Sequence, residues 1–170
     1  MAIIIDATPG GANSNSYITE ADAVSYFEGR LHSAAWDDAT DENRKSALVM
    51  ATRTIDQTFA FQGYKTDSDQ ALSFPRTGVV NCEGETLASD VIPKAIEDAT
   101  CEQALAFLGF DLTKKPAALF QGVSKAEVKN GVMAEFSLAF QPDTLDKMTI
   151  ISVGCLGKVK GSGCGGLSRY

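Results

Sequence analysis

A mainly α fold is expected: a small helical bundle of three or four helices with a long ordered loop, a β-hairpin and an extended C-terminal tail. Three observations carry this expectation. Two stretches of helical apolar period follow capping side chains, at Thr19 and at Thr40 or Asp41, and a third opens on Pro93. From Gln62 to about Ile92 no period of either kind persists, which inside one domain marks a functional loop or a missed element. Beyond Pro116 the pattern turns to alternation. The chain divides accordingly into a helical core over residues 1–115 with its loop at 62–92, a hairpin over 116–141, and a C-terminal segment and flexible tail over 142–170.

The first helix follows the turn-forming run GGANSNSY (10–17), with Thr19 and Asp22 as a variant capping box. It should run to about Leu31, with Ala21, Val24, Phe27 and Leu31 on one face and Glu20 and Arg30 reaching water from its edges. A polar hinge, WDDATD (36–41), comes next, and Trp36 is expected to plug the junction with the following helix. That second helix has an acidic first turn suited to its dipole. Leu48, Ala51, Thr52, Ile55 and Phe59 lie in one narrow arc, and Met50, Arg53 and Gln57 face away.

The third helix runs from Pro93 to near Gly109. Its first half sets Ile92, Ala95, Ile96 and Ala99 against Glu97, Asp98 and Glu102. Its second half, QALAFLGF, places Leu105, Phe107 and Leu108 almost all the way round the axis, so either the long loop or a neighbouring subunit must cover it. Between residues 124 and 140 a three-residue loop, Lys129 to Gly131, pairs Val128 with Val132 and Ala126 with Ala134 and so gathers the apolar residues on one face. The stretch DTLDKMTIISVGCLG after Pro142 reads as a short helix or a buried strand. The Gly- and Ser-rich end, GKVKGSGCGGLSRY, cannot bury enough to fold alone and is either disordered or ordered by a partner.

Composition narrows the function classes. The chain has 170 residues, 44% of them hydrophobic, which suits one domain with a modest core. No apolar run approaches the roughly 20 residues a bilayer span needs, and MAIIID has neither a basic start nor a long enough apolar stretch for a secretion signal. Manufacture in the cytoplasm is expected. Cys82, Cys101, Cys155 and Cys164 form no C-x-x-C pair and read as free thiols. A net charge of −7 argues against an affinity built on neutralising phosphates.

Chemistry finds little purchase. The single histidine, His32, has no Ser or Cys placed locally to make a nucleophile. Asp37, Asp38, Asp41 and Glu42 form the densest acidic group but lack the spacing of a calcium loop, and GCLGK (154–158) lacks that of a phosphate loop. No catalytic residue, metal ligand or cofactor is assigned. The positive features concern assembly: a helix end apolar on every side, a long loop with buried-type residues, and a tail that wants a partner.

The segments ANSNSYITEADAVSYFEGR, KSALVMATRTID, FQG, QALSFPRTGV and IPKAIEDATCEQAL, in that order, resemble the head-to-tail connector (adaptor) proteins of tailed bacteriophages, often labelled DnaT-like single-stranded DNA-binding. The resemblance covers about Met1 to Gly109. Where that family commonly has Trp, this chain has Phe61 and Phe74, which keeps an aromatic anchor without an N–H donor. The resemblance implies a non-enzymatic virion protein of the head–tail neck: a ring, by resemblance twelve copies, beneath the portal protein, joined to tail or neck proteins, with genomic DNA passing through unspecifically. It further implies that the C-terminal segment reaches the portal, which assigns portal contact to Lys158, Lys160, Leu167, Arg169 and Tyr170. Leu72, Phe74, Pro75, Arg76, Leu105, Phe107 and Leu108 are the expected loop anchors or inter-subunit contacts. Leu72 and Phe74 should pack on the helices, and Arg76 should meet a carboxylate of its own or the next subunit. A chain cut after Leu145 should keep its fold and lose the portal. A single-stranded DNA-binding module is the alternative.

Overall fold

The structure is a computed structural model that describes residues 3–81, 83–109, 153 and 156–159. The order is α1 (Glu20–Glu28), α2 (Ala34–Asp37), α3 (Asp41–Thr58), β1 (Phe59–Phe61), β2 (Tyr64–Lys65), β3 (Arg76–Thr77), α4 (Lys94–Gly109) and β4 (Gly157–Val159). The fold is mainly helical, with two small antiparallel pairs, β1 with β4 and β2 with β3. The hairpin expected between 124 and 140 lies outside the described residues.

Both expected caps form. Thr19 Oγ1 accepts from the Asp22 N–H at 3.2 Å, and Thr40 Oγ1 accepts from the Asn43 N–H at 3.3 Å, so each satisfies an otherwise orphaned donor. α1 stops sooner than its periodicity suggested, at Gly29, and Leu31 lies beyond it, 81% exposed. Its buried side is Ala23 and Phe27 rather than the face through Ala21, which is exposed. Trp36 sets this rotation: it is buried, and its ring stacks on Phe27 with centroids 4.4 Å apart. The one-turn helix α2 overlaps the start of the polar hinge and carries Trp36 inward. α3 buries Leu48, Ala51, Thr52 and Ile55 as its periodicity requires, with Phe59 buried just after it.

α4 is the central helix. It buries Ile96, Ala99, Thr100, Cys101, Glu102, Gln103 and Ala104, residues that point round its whole circumference. Glu102 was expected away from the buried face, yet it is 4% exposed. The apolar pattern of one helix could not foretell that Arg30, at the end of α1, would lie over it. Two apolar clusters flank α4. Ile18, Phe27, Trp36, Leu48 and Ala51 meet Cys101 and Ala104, with Leu105, Phe107 and Leu108 half-buried against them. Tyr17, Ile55, Phe59, Phe74 and Val79 meet Ile96 and Ala99. The long loop therefore packs on the first half of α4, and the second half is faced by residues of α1, α2 and α3.

The C-terminal segment is partly built into the domain. Val153 and Leu156 are buried in the cluster around Phe74, and β4 pairs with β1 in the register Phe59 with Val159, Ala60 with Lys158 and Phe61 with Gly157. The Gln62 N–H donates to the Leu156 carbonyl at 3.2 Å and continues the ladder. Gly157 is required there, because a Cβ would stand 2.8 Å from the Phe61 ring. A cut after Leu145 would thus remove two core side chains, which weighs against the expectation that such a chain keeps its fold.

Candidate functional site

The loop QALSFPRTGV is held from three directions. Phe74, 2% exposed, meets Phe61 edge-on at 4.9 Å and Tyr17 edge-on at 6.3 Å, and the following Pro75, joined by a cis peptide bond, is also buried. Leu72 is half-buried against the same cluster. Before them, Gln70 fastens the turn through its side chain. Its Nε2 donates to the carbonyls of Leu72 at 2.8 Å and Pro75 at 3.0 Å, and its Oε1 accepts from the Asp67 N–H at 3.0 Å. A side-chain amide with both ends used this way replaces the ladder that an irregular segment lacks.

The second hold is polar and partly buried. The Tyr17 hydroxyl donates to Asp56 Oδ1, and the Ser73 N–H donates to Asp56 Oδ2 at 2.9 Å. Burial raises the Asp56 carboxyl above its usual range, against the lowering effect of these donors. Burial likewise drives the Tyr17 hydroxyl well up, reinforced by the Asp56 charge. One carboxylate on α3 thereby ties the segment before α1 to the loop.

Arg76 makes the third hold. Its Nε donates to the Gln62 carbonyl at 2.7 Å, Nη2 to the Gly63 carbonyl at 2.7 Å and Nη1 to the Ser73 carbonyl at 3.2 Å. Among the described residues it forms no ion pair, so no carboxylate of its own chain meets it and three main-chain acceptors hold the guanidinium instead. A planar fork of fixed donors suits such a turn of converging carbonyls. The turn itself needs Gly63, whose φ is +66° and where a Cβ would collide with the Thr77 carbonyl.

A further clamp joins α1 to α4. Glu102 accepts from Arg30 Nε at 2.6 Å, Arg30 Nη2 at 2.5 Å and the Tyr26 hydroxyl at 2.6 Å. Burial alone would raise the Glu102 carboxyl, but the Arg30 and Tyr26 hydrogen bonds and the Arg30 charge outweigh it, so it sits below its usual range. Nearby Cys101 is a free thiol pushed up to about 12 by burial, which disfavours the reactive thiolate.

The expected contact residues thus separate into two places. Leu72, Phe74, Pro75 and Arg76 converge around Tyr17 and Asp56, while Leu105, Phe107 and Leu108 lie by the second cluster. Of the portal-contact residues, Lys158 lies on β4, where its backbone pairs with Ala60; Lys160, Leu167, Arg169 and Tyr170 lie outside the described residues. Tyr17, Asp56, Gln70 and Glu102 escaped the sequence reading. The signal available was a polar residue in an apolar setting, as with Asp56 one place after Ile55 on a helix buried along that arc.

Charge completes the site. Residues 3–109 hold 17 acidic and 7 basic side chains, whereas residues 110–170 hold 5 acidic and 8 basic. Six of those first seven bases have partners inside the domain: Arg30 with Glu102, Arg44 with Asp41, Lys45 with Glu20, Lys94 with Asp98, Lys65 on the Gln70 carbonyl, and Arg76 as above. Among the described residues no group of His, Cys, Asp and Glu is arranged to hold a metal ion, and no helix is long and apolar enough to cross a membrane.

No curated protein and no solved structure matches the chain. A family model does match, over residues 1–152, well past Gly109 where the resemblance of the ordered segments ends; its description is "Putative DnaT-like ssDNA binding protein", and the chain belongs to that family.

Proposed function

We propose that the protein is a non-enzymatic head-to-tail adaptor of a bacteriophage virion. Copies form a ring beneath the portal, link the capsid to tail or neck proteins, and let the genomic DNA pass through the channel. The observation that carries this reading is the charge economy of the core. Over residues 3–109 its acidic excess, with six of seven bases committed inside the domain, disfavours a grip on phosphates, as a conduit for sliding DNA requires. The braced loop supports it too, because closed rings need rigid, heterologous surfaces. In this reading Leu105, Phe107 and Leu108 serve neighbouring copies, and the residues from Lys160 onward reach the portal. Native mass measurement of the protein alone and mixed with portal tests it. Rings and a portal complex are the expected result; a monomer indifferent to portal refutes it.

The family description favours a second reading, binding of single-stranded DNA. The basic excess after residue 109 would have to supply that affinity. Oligonucleotide binding that weakens steeply with salt would support it over the adaptor.

A further inference from the structure

The C-terminal segment and the loop meet on two adjacent residues, Phe61 and Gln62. The Gln62 N–H donates to the Leu156 carbonyl at 3.2 Å, and the Gln62 carbonyl accepts from Arg76 Nε at 2.7 Å, so one residue holds the C-terminal segment on its donor side and the loop on its acceptor side. Arg76 carries the hold onward to the carbonyls of Gly63 and Ser73. An apolar path runs beside this polar one. The Phe61 ring lies so close to Gly157 that a Cβ there would stand 2.8 Å away, and the same ring meets Phe74 edge-on at 4.9 Å. Val153 and Leu156 are buried in the cluster that also takes Phe74 and Val79. Packed side chains and hydrogen bonds in unbroken contact are the physical means by which two segments are coupled.

The two halves of the loop are held differently. Around Gln70 the first half has its own fastenings: the Gln70 amide on the Leu72 and Pro75 carbonyls, the Ala71 N–H on the Gly11 carbonyl at 3.1 Å, and the Ser73 N–H on Asp56. The second half, Arg76 to Val79, rests on the Arg76 fork and on the cluster that Val153 and Leu156 complete. Those two side chains are in turn held lightly, by a ladder of three residues in a two-stranded pair, a unit that is marginal in water. We propose that residues 153–159 are a strap: seated on β1 they hold the Arg76–Val79 half of the loop, and drawn off they free it while the Gln70 turn stays closed. What draws on the strap rests on the adaptor reading, in which the residues from Lys160 onward reach the portal, so that capture of the tail is felt at the loop. The seating itself is tested without portal, and its failure leaves the adaptor reading standing.

The test is native-state hydrogen exchange of the full chain in rising urea. The Gln62 N–H reports the strap, and the Leu87 N–H, which donates to the Val79 carbonyl at 2.9 Å, reports the second half of the loop. The Ala71 and Ser73 N–H groups report the first half, and the amides of α3 report global unfolding. Gln62 and Leu87 are expected to exchange through one shared opening, with the same dependence on urea and below the free energy of global unfolding, and Ala71 and Ser73 to lie outside it. Leu156→Ala should then speed Gln62 and Leu87 by the same factor, about tenfold or more. If Leu87 keeps its protection when Gln62 opens, or opens without it, the coupling is overturned. Exchange of both by the global route alone makes residues 153–159 ordinary core and overturns the strap, and an opening shared by all four overturns the division of the loop. The wild-type measurement decides by itself should Leu156→Ala not fold.

Discussion

Replacing Arg76 with Ala isolates the hold that distinguishes a braced loop from a contact between subunits. The substitution removes donors at 2.7, 2.7 and 3.2 Å from the carbonyls of Gln62, Gly63 and Ser73. A hydrogen bond from a charged donor contributes about 1.5–3 kcal/mol when buried, but Gln62 is exposed and water replaces its share at little cost. Two part-buried acceptors then lose about 1 kcal/mol each, and a total of about 2–3 kcal/mol is expected. For a chain of this size that lowers the melting temperature by about 4–12 °C. Arg76→Lys should fall between, since one ammonium cannot serve three diverging acceptors. The assay is urea unfolding beside native mass measurement. A stability loss below about 0.5 kcal/mol, or oligomers lost at unchanged stability, would refute the bracing argument and return Arg76 to an interface.

Further outcomes follow from the other holds. Glu102→Ala leaves Arg30 and Tyr26 without their acceptor; because Arg30 is a quarter exposed, the loss should be about 2–3 kcal/mol, below that of a fully buried pair, by denaturant titration. The folded Glu102 carboxyl is lowered, so its stabilisation is complete above the unfolded value and disappears as pH falls through the folded one; Glu102→Gln should flatten that acid-side decline. Asp56 has the opposite sign. Its folded carboxyl is raised, so protonation favours the fold, and the stability difference between wild type and Asp56→Asn should grow as pH falls from the raised folded value toward about 3.9. A chain ending at Val159 should melt close to wild type, whereas one ending at Leu145 loses the burial of Val153 and Leu156, about 3–6 kcal/mol, and should show no cooperative transition if its stability is ordinary.

What could be read from the sequence was local. Thr19 and Thr40 announce their helices because a cap needs only the next three residues, and the α3 arc from Leu48 to Phe59 follows from period alone. The loop's apolar residues reveal that it packs, but not on what. Phe74 finds Tyr17 and Phe61, one before α1 and one after α3. The partners of polar groups were the least legible, since Arg76 chose carbonyls and Glu102 was buried by an arginine 72 residues away. The pairing of β1 with β4 is remoter still, and no local pattern marks Gly157–Val159 as a strand partner for Phe59–Phe61.

That remote pairing also bears on how assembly could work. Because Val153 and Leu156 sit in the same cluster as Phe74, the chain leaving β4 starts from a fixed point on the domain. In the adaptor reading, residues that leave the domain from a fixed origin are confined to a small volume, so they would meet a neighbouring copy or the portal at high effective concentration. Loosening the origin should therefore weaken assembly without touching the terminus. Gly157→Ala, which forces the Phe61 ring away from β4, is expected to lower ring yield by native mass measurement while leaving residues 160–170 unchanged. Full ring yield from a variant with a demonstrably weakened fold would show that the anchor does not matter.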